Sequence, residues 1–221
     1  LICKKNAEKR GNLPKKEETD HQYESLKVFL ETDPKERGKG PKKEKTNQQN
    51  DSLKPLINRP VYNDKYRPGS IFKLVQALIA LDDEVITPNT RFTCNKNIIG
   101  CHNHEPPSNL FKAIKNSCNP YFFQVYKRLI IKDNSKNSFQ SSREGLSTWE
   151  KKIKTFGFGN TLGIDLPEEK SGFVPNVEFY DKWYGKKRWA FSTIYSNSIG
   201  EGEIGVSPIQ VVSVAASLIP F

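Results

Sequence analysis

The stretch that decides the fold is Tyr66-Arg67-Pro68-Gly69-Ser70-Ile71-Phe72-Lys73. Its Pro-Gly turn leads into a run, from Ile71 to Leu81, that is apolar almost all round. Such a run predicts a helix buried in the middle of a domain rather than one on its surface. Lys73 is the exception in this run, because an ammonium group is costly to bury.

Ser70 and Lys73 are three positions apart, so their side chains share one face of the predicted helix. Burial lowers the pKa of a lysine, and a neutral Lys73 can accept the proton of the Ser70 hydroxyl. Partial positive charge at the helix N-terminus would help to hold an oxyanion near Ser70. The pattern predicts a nucleophile and its base, but so short a pattern is by itself more typical of a capping serine and a lysine that extends to solvent.

A second polar motif, Ser117-Cys118-Asn119, follows 44 positions after Lys73. Pro120 suits the first turn of a further helix, so we expect the motif to lie at a junction between two helices, with its side chains facing a cleft. Helix capping is the alternative role of Ser117 and Asn119, since both are good capping residues.

Four motifs occur in a fixed order: Pro68-Gly69-Ser70-Ile71-Phe72-Lys73, then Ala113 to Asn119 with the aromatic tail Tyr121-Phe122-Phe123, then Phe156-Gly157-Phe158-Gly159 leading to Gly163-Ile164-Asp165-Leu166-Pro167, then Ser198-Ile199-Gly200-Glu201-Gly202 leading to Ser207-Pro208-Ile209-Gln210. Ser-x-x-Lys with a later Ser-x-Asn-type motif marks penicillin-binding proteins and serine β-lactamases. Together, over residues 53–221, the motifs resemble the transpeptidase domain of class B penicillin-binding proteins, most like the elongation-type subfamily, penicillin-binding protein 2.

The resemblance implies an α/β domain of the penicillin-binding protein transpeptidase and serine β-lactamase type. We expect its helices at 70–81, 109–116, 120–131 and 208–219, beside a sheet that this chain contains only in part. The residue pattern further predicts a surface loop at 132–148, a short helix at 149–156, a strand-like segment at 158–167 and a loop at 172–181.

The resemblance also implies an enzyme, a peptidoglycan D,D-transpeptidase that works through a serine acyl-enzyme on stem peptides ending in D-Ala-D-Ala. Ser70 would be the nucleophile, Lys73 its base and Ser117 the proton relay, while Asn119 would bind substrate; no cofactor is expected. The implied partners are stem peptides, β-lactam antibiotics and proteins of the cell-elongation machinery that sets cell shape. The alternatives are a serine β-lactamase, a carboxypeptidase or a non-catalytic penicillin-binding fragment.

Members of the family carry a third motif, Lys-Thr-Gly or Lys-Ser-Gly, on a strand that forms one wall of the cleft and binds the substrate carboxylate. We expect neither triplet to occur anywhere in this chain. The chain alone would then be inactive, and the activity would belong to a longer protein.

The net charge of +10 arises from 35 basic and 25 acidic residues that are interspersed, and no nucleic-acid-binding motif accompanies them. We therefore expect no nucleic-acid partner. Residues 1–52 are polar and rich in lysine, which predicts a flexible segment. The chain begins at Leu1, contains no methionine and has no apolar run long enough to span a membrane. We expect a fragment whose membrane anchor lies outside it, and the resemblance places the catalytic domain on the periplasmic side of the inner membrane.

The four cysteines, at positions 3, 94, 101 and 118, are too few for a disulfide framework in a domain of this size. Cys94 and Cys101 can pair in an oxidising compartment. With His102 and His104 they also offer the soft and imidazole ligands that zinc prefers. We assign no metal from the sequence, and zinc, a loop disulfide and free side chains all remain open for this segment.

Overall fold

The computed structural model describes residues 64–132, 137–165 and 168–218. The predicted flexible segment at 1–52 lies outside these residues. Seven helices occur in the described part: α1 Phe72–Asp82, α2 Leu110–Lys115, α3 Asn119–Ile130, α4 Ser138–Thr155, α5 Val177–Tyr184, α6 Phe191–Ile194 and α7 Pro208–Ser217. Two 3-10 turns, Gly69–Ile71 and Tyr195–Ile199, precede α1 and follow α6.

Helix α1 is the buried helix that the apolar run predicts, and the helices predicted at 109–116, 120–131 and 208–219 are confirmed to within two residues at each end. The short helix predicted at 149–156 is the second half of the longer helix α4. Most residues of α1 are buried, including two polar ones, Lys73 and Gln76. The helix thus places a lysine inside the domain, where the lysine must find polar partners.

Helix α3 lies at the centre of the domain and packs against α1, α4 and the 195–199 turn. Its aromatic residues Tyr121, Phe122 and Tyr126 are fully buried. The rings of Tyr126 and Trp149 meet edge to face at a centroid distance of 5.3 Å, which joins α3 to α4. This packing fixes the start of α3, where Asn119 lies.

The predicted surface loop at 132–148 is wrong over most of its length, because 138–148 belongs to α4. Asn137 caps this 18-residue helix by accepting a hydrogen bond from the N–H of Gln140. Its buried face begins with the small residues Ser141, Ser142 and Gly145, so the apolar period is hidden in the sequence. A Cβ on Gly145 would lie 1.9 Å from the carbonyl oxygen of Ile130, which shows how closely α4 approaches α3.

Two further predictions are also corrected. The segment 158–165 forms no strand, and its backbone N–H groups at Leu162, Gly163 and Ile164 donate to the carboxylate of Glu169 instead. The predicted loop at 172–181 contains the first half of α5, which Asn176 caps through a hydrogen bond from the N–H of Phe179.

Helix α7 begins after Ser207, as predicted, and the Ser207 N–H donates to the side-chain oxygen of Gln210. The Gln210 amide nitrogen in turn lies within 3.1 Å of the carbonyl oxygens of Gly157, Asn160 and Ser171. Gln210 thereby ties together the third and fourth sequence motifs.

The only β-pairings among the described residues are two isolated antiparallel bridges, Tyr66 with Val206 and Phe173 with Gly205. The sheet of the predicted α/β domain therefore stays a prediction. None of the helices in the described ranges is both long and apolar enough to cross a membrane.

Candidate active site

Ser70 lies in the 3-10 turn that leads into α1, and its side chain is exposed. Lys73, in the first turn of α1, is only 2% exposed. Its Nζ lies 3.2 Å from the Ser70 Oγ, so the two side chains meet as the three-residue spacing predicts. Ile71 and Cys118 occupy the capping positions of α1 and α3, neither through a side-chain hydrogen bond. Capping therefore does not explain the side chains of Ser70, Ser117 or Asn119.

The structure brings all four predicted site residues together around the Lys73 amine. Lys73 Nζ donates to the backbone carbonyl of Ser117 at 2.8 Å, to the Ser117 Oγ at 2.8 Å and to the Asn119 Oδ1 at 2.5 Å. The Ser117 Oγ also donates to the Ser70 Oγ at 2.9 Å. A hydrogen-bonded path thus joins Ser70 to Lys73 both directly and through Ser117.

These partners determine which hydrogen bonds the Lys73 amine makes in its charged and in its neutral form. The Ser117 carbonyl and the Asn119 Oδ1 can only accept hydrogen bonds, so they take two N–H groups in either state. In the charged amine the third N–H points to a hydroxyl, of Ser70 or Ser117. In the neutral amine that position is a lone pair, which can accept a proton from the same hydroxyl.

Burial lowers the pKa of Lys73 from 10.5 to about 8, although electrostatic interactions with Cys101, Cys118 and Glu201 oppose this shift. The Phe122 ring, with its centroid 5.9 Å from Nζ, adds an apolar neighbour that still tolerates the cation. With a pKa of about 8, about a tenth of the amine is neutral at pH 7.

Ser117 owes its position to a left-handed backbone conformation, with φ at +47°. Few residues other than glycine adopt this region, and backbone strain of this kind clusters at functional sites. The turn directs both the carbonyl and the hydroxyl of Ser117 at Lys73.

The fourth motif supports the Ser70 turn directly. The Gly69 N–H donates to the Gly200 carbonyl at 3.0 Å. Gly200 has φ at +73°, and a Cβ there would lie 2.4 Å from the Gly69 oxygen. Only glycine fits this position, which explains why Ser198-Ile199-Gly200 belongs with the Ser70 motif.

A buried polar network beneath the site was not found from the sequence. The Gln76 amide accepts from Trp149 Nε1 at 3.0 Å and donates to the Asn197 carbonyl at 3.3 Å. The Asn197 amide donates to the Tyr180 hydroxyl, which donates to Glu203. The signal in the sequence was Gln76, which with Lys73 is one of two buried polar residues in a mostly apolar helix.

A cluster of thiols and one imidazole lies on the other side of Asn119. Cys94, Cys101, His104 and Cys118 each offer one ligand atom, and all four atoms lie within 4.8 Å of one another. Cys94, Cys101 and Cys118 are free thiols, so no Cys94–Cys101 disulfide is present. His102, which the sequence grouped with these residues, is exposed and outside the cluster. Cys118 takes its place, from the middle of the second motif.

The donor set fits a tetrahedral Zn²⁺ site. Zinc–sulfur bonds of about 2.3 Å place neighbouring sulfurs about 3.8 Å apart. The Cys94 and Cys118 sulfurs are 3.4 Å apart, and the His104 Nε2 lies 3.2 Å from Cys101 and 3.9 Å from Cys94. The His104 Nδ1 donates to the Glu105 carbonyl at 2.7 Å, so in the neutral imidazole Nε2 is the nitrogen without a proton, and it faces the sulfurs.

The chain does contain a Lys-Ser-Gly triplet, Lys170-Ser171-Gly172, which corrects the expectation that it has none. The triplet precedes the Ser198 motif, whereas the resemblance puts the third motif after it. Lys170 is exposed, and the Ser171 carbonyl accepts from Gln210. No described contact joins the triplet to Ser70 or Lys73, so it belongs to the loop that Gln210 holds.

Comparison with known proteins gives consistent matches. The family described as penicillin binding protein transpeptidase domain matches residues 34–220. The peptidoglycan D,D-transpeptidase MrdA of Haemophilus influenzae is 30% identical over 180 residues, which cover 73% of this chain and 24% of that protein. The chain spans about a quarter of the length of the curated relatives it matches.

Two solved structures from Helicobacter pylori have a similar fold. Its penicillin-binding protein PBP2 superimposes with a TM-score of 0.55 at 26% identity, covering 76% of this chain and 31% of that one. The complex of PBP2 with MreC from the same organism gives a TM-score of 0.53 at 28% identity, covering 74% and 29%. These similarities support the predicted fold.

Proposed function

The chain belongs to the penicillin-binding protein transpeptidase domain family, and on this premise we propose that it is the catalytic part of a peptidoglycan D,D-transpeptidase that cross-links stem peptides during cell elongation. The observation that carries the proposal is the convergence of Ser70, Ser117 and Asn119 on the buried amine of Lys73. The MrdA relatives, named as D,D-transpeptidases, support the same reaction.

In the proposed acylation, Ser70 attacks the carbonyl of the penultimate D-Ala. Neutral Lys73 takes the hydroxyl proton, directly or through Ser117, and the backbone N–H of Ser70 donates to the oxyanion. The bond to the terminal D-Ala then breaks, and its nitrogen receives a proton through Ser117. The products are free D-Ala and an ester of Ser70.

In the second step the amine of a neighbouring stem peptide attacks the ester and returns the oxygen to Ser70. Lys73, neutral again, accepts the proton that the amine loses and passes it, directly or through Ser117, to the departing Ser70 oxygen. Asn119 orients the Lys73 amine, because its Oδ1 accepts a hydrogen bond from Nζ, and its proposed second role is to bind the substrate. A new peptide bond forms, and the site is restored.

A β-lactam antibiotic would enter by the same first step, since its strained amide is attacked by Ser70 and the opened ring stays attached. We infer further that the protein works at the periplasmic face of the inner membrane, held there by a membrane anchor. The H. pylori PBP2 complex with MreC supports an MreC-like protein of the elongation machinery as a partner.

A second, structural function is supported by the thiol and imidazole cluster. We propose that Cys94, Cys101, His104 and Cys118 hold a Zn²⁺ ion, which would stabilise the loop against the start of α3. The support is the geometry of the four ligand atoms and the orientation of His104.

The fate of the acyl-enzyme tests the catalytic proposal. The full-length protein is labelled with a fluorescent penicillin, and the label is followed with time. A transpeptidase keeps the label for minutes or longer, whereas rapid loss of the label indicates a β-lactamase. Absence of any label indicates a non-catalytic relative and contradicts the proposal.

A further inference from the structure

We propose that Asn197 is a positioning residue for the acylation of Ser70, because it fixes the shape of the loop 197–203. Asn197 is fully buried. Its backbone carbonyl accepts a hydrogen bond from the Gly200 N–H at 3.2 Å, and its side-chain Oδ1 accepts one from the Glu203 N–H at 3.2 Å. One residue therefore holds both the middle and the end of the loop.

The loop contacts the segment 69–76, which carries the proposed nucleophile and its base, at both ends of that segment. At the start of the segment, the Gly69 N–H donates to the Gly200 carbonyl at 3.0 Å. At its end, the side-chain amide of Gln76 donates to the Asn197 carbonyl at 3.3 Å. A change in the shape of the loop therefore moves the turn of the catalytic serine relative to helix α1.

The loop packs directly on the Asn197 side chain. A Cβ on Gly202 would lie 1.9 Å from the Asn197 Oδ1, so the backbone of the loop touches the amide. A further backbone hydrogen bond, from the Glu201 N–H to the Ser196 carbonyl at 3.2 Å, closes the turn. Because this packing leaves no space, a change in the contacts of the Asn197 amide is passed to the backbone of the loop.

The orientation of the Asn197 amide is fixed by its two side-chain partners. The Glu203 N–H can only donate, so it faces the Oδ1 rather than the Nδ2. The Nδ2 donates to the Tyr180 oxygen at 2.9 Å, and the Tyr180 hydroxyl donates to the Glu203 carboxylate at 2.6 Å. Burial raises the pKa of Tyr180 well above its ordinary value of 10, so this hydroxyl keeps its proton. The side-chain hydrogen bonds thus run in one direction, from Asn197 through Tyr180 to Glu203.

This direction can be tested with Asn197→Asp, which keeps the shape of the side chain and changes its donor into an acceptor. The new carboxylate faces the Tyr180 oxygen, and the single hydroxyl proton cannot serve both this carboxylate and that of Glu203. The groups must then separate, and the loop moves with them. Because a displacement of about 1 Å at a catalytic site typically costs about 100-fold in rate, labelling by a fluorescent penicillin is expected to slow at least about tenfold.

Adding Glu203→Gln to Asn197→Asp is expected to restore the site by reversing the direction of the hydrogen bonds. The new amide at position 203 can donate to the Tyr180 oxygen, and the Tyr180 hydroxyl can donate to the new carboxylate at position 197. The double variant also keeps the net charge of the native pair. Its labelling rate should return to within about threefold of the native rate, which a general loss of stability would not allow. Glu203→Gln alone should label at the native rate, because its amide oxygen still accepts from Tyr180.

A second readout is independent of activity, whereas labelling rests on the proposed acyl-enzyme function. Hydrogen exchange of a peptide that contains residues 67–72, measured by mass spectrometry on the full-length protein, reports the Gly69 N–H. Exchange is expected to rise in Asn197→Asp and to return to the native level in the double variant. Asn176→Asp is the matched control, because the Asn176 Oδ1 caps α5 by accepting from the Phe179 N–H and a carboxylate caps equally well. Both readouts should stay native in this control.

Native labelling together with native exchange in Asn197→Asp would overturn the proposal. A double variant that stays slow while Glu203→Gln alone labels normally would overturn it too. Tyr180→Phe removes only the hydroxyl between the two side chains and decides the question if Asn197→Asp does not fold, since unchanged labelling and exchange in this variant are also contrary results. If the native protein takes no label at all, the proposed function fails, while exchange at residues 67–72 still decides the role of Asn197.

Discussion

The Ser117 hydroxyl donates a hydrogen bond to the Ser70 hydroxyl across 2.9 Å, although 47 positions separate the two residues. Both hydroxyls also contact the Lys73 amine. A proton can therefore leave Ser70 by two routes and return to a leaving nitrogen by one of them. The three mutual hydrogen bonds among Ser70, Lys73 and Ser117 distinguish a reactive serine from a serine that merely begins a helix.

Replacing Ser70 with alanine is expected to abolish covalent labelling by a fluorescent penicillin, because the substitution removes the hydroxyl that forms the ester. The measurement is gel fluorescence of the full-length variant after labelling. Ser213→Ala, at an exposed position of α7, is the matched control and should label at the normal rate. Residual labelling of Ser70→Ala would assign the nucleophile to another residue.

The rate of penicillin acylation is expected to rise with pH up to about 8 and then to level off. Lys73 acts as a base only when neutral, and burial lowers its pKa to about 8. Below that pH the rate should fall about tenfold per pH unit, as the neutral fraction does. Stopped-flow labelling between pH 6 and 9 measures the profile. A flat profile would mean that Lys73 does not supply the base.

The candidate site residues could be picked out from the sequence because their motifs are local. Ser70 and Lys73 share one helical turn, and Ser117 and Asn119 flank one junction, so spacing alone fixes each pair. The contact between the Ser70–Lys73 pair and the Ser117–Asn119 pair was inferred from family resemblance, because no local rule brings together two segments 44 positions apart.

The features that could not be predicted from the sequence depend on how distant segments pack together. The first half of helix α4, residues 138–148, was missed because its buried face starts with small residues that permit close packing but give no apolar period. Cys118 was not grouped with Cys94 because its role depends on the direction of a side chain at the start of α3. The Gln76 and Asn197 network depends likewise on tertiary contacts between distant segments.

Gly200→Ala is expected to destabilise the domain by about 2 kcal/mol more than Gly163→Ala. Both glycines have φ near +73°, so both variants carry the same backbone strain. Only at Gly200 does the added Cβ meet backbone, 2.4 Å from the Gly69 oxygen, whereas nothing lies within 4 Å at Gly163. Denaturant unfolding measures the difference, and equal losses would contradict the close contact between Gly69 and Gly200.

The full-length protein is expected to bind about one zinc ion through its cysteine and histidine cluster. His104→Ala should lower the zinc content several-fold, because Nε2 of this residue faces the sulfurs. His102→Ala removes an exposed imidazole two positions away and should leave the zinc content unchanged. Elemental analysis after dialysis gives the ratio of metal to protein. Equal zinc content in the two variants would place the metal elsewhere.

Asn119→Asp is expected to move the pH profile of acylation to higher pH. In the native protein the neutral Asn119 Oδ1 accepts from Lys73 at 2.5 Å. An aspartate there would place a negative charge against the amine, which favours the protonated form and raises the pKa of Lys73. The rate at pH 7 should therefore drop, and part of the loss should be recovered as the pH rises above the native midpoint.

The aspartate also loses the hydrogen bond to the Gly100 carbonyl, so the plateau is expected to stay below the native one. Asn119→Ser adds no charge and serves as the control, since it should lower the plateau without raising the midpoint. An unshifted midpoint in Asn119→Asp would show that Lys73 is not the group whose titration limits acylation.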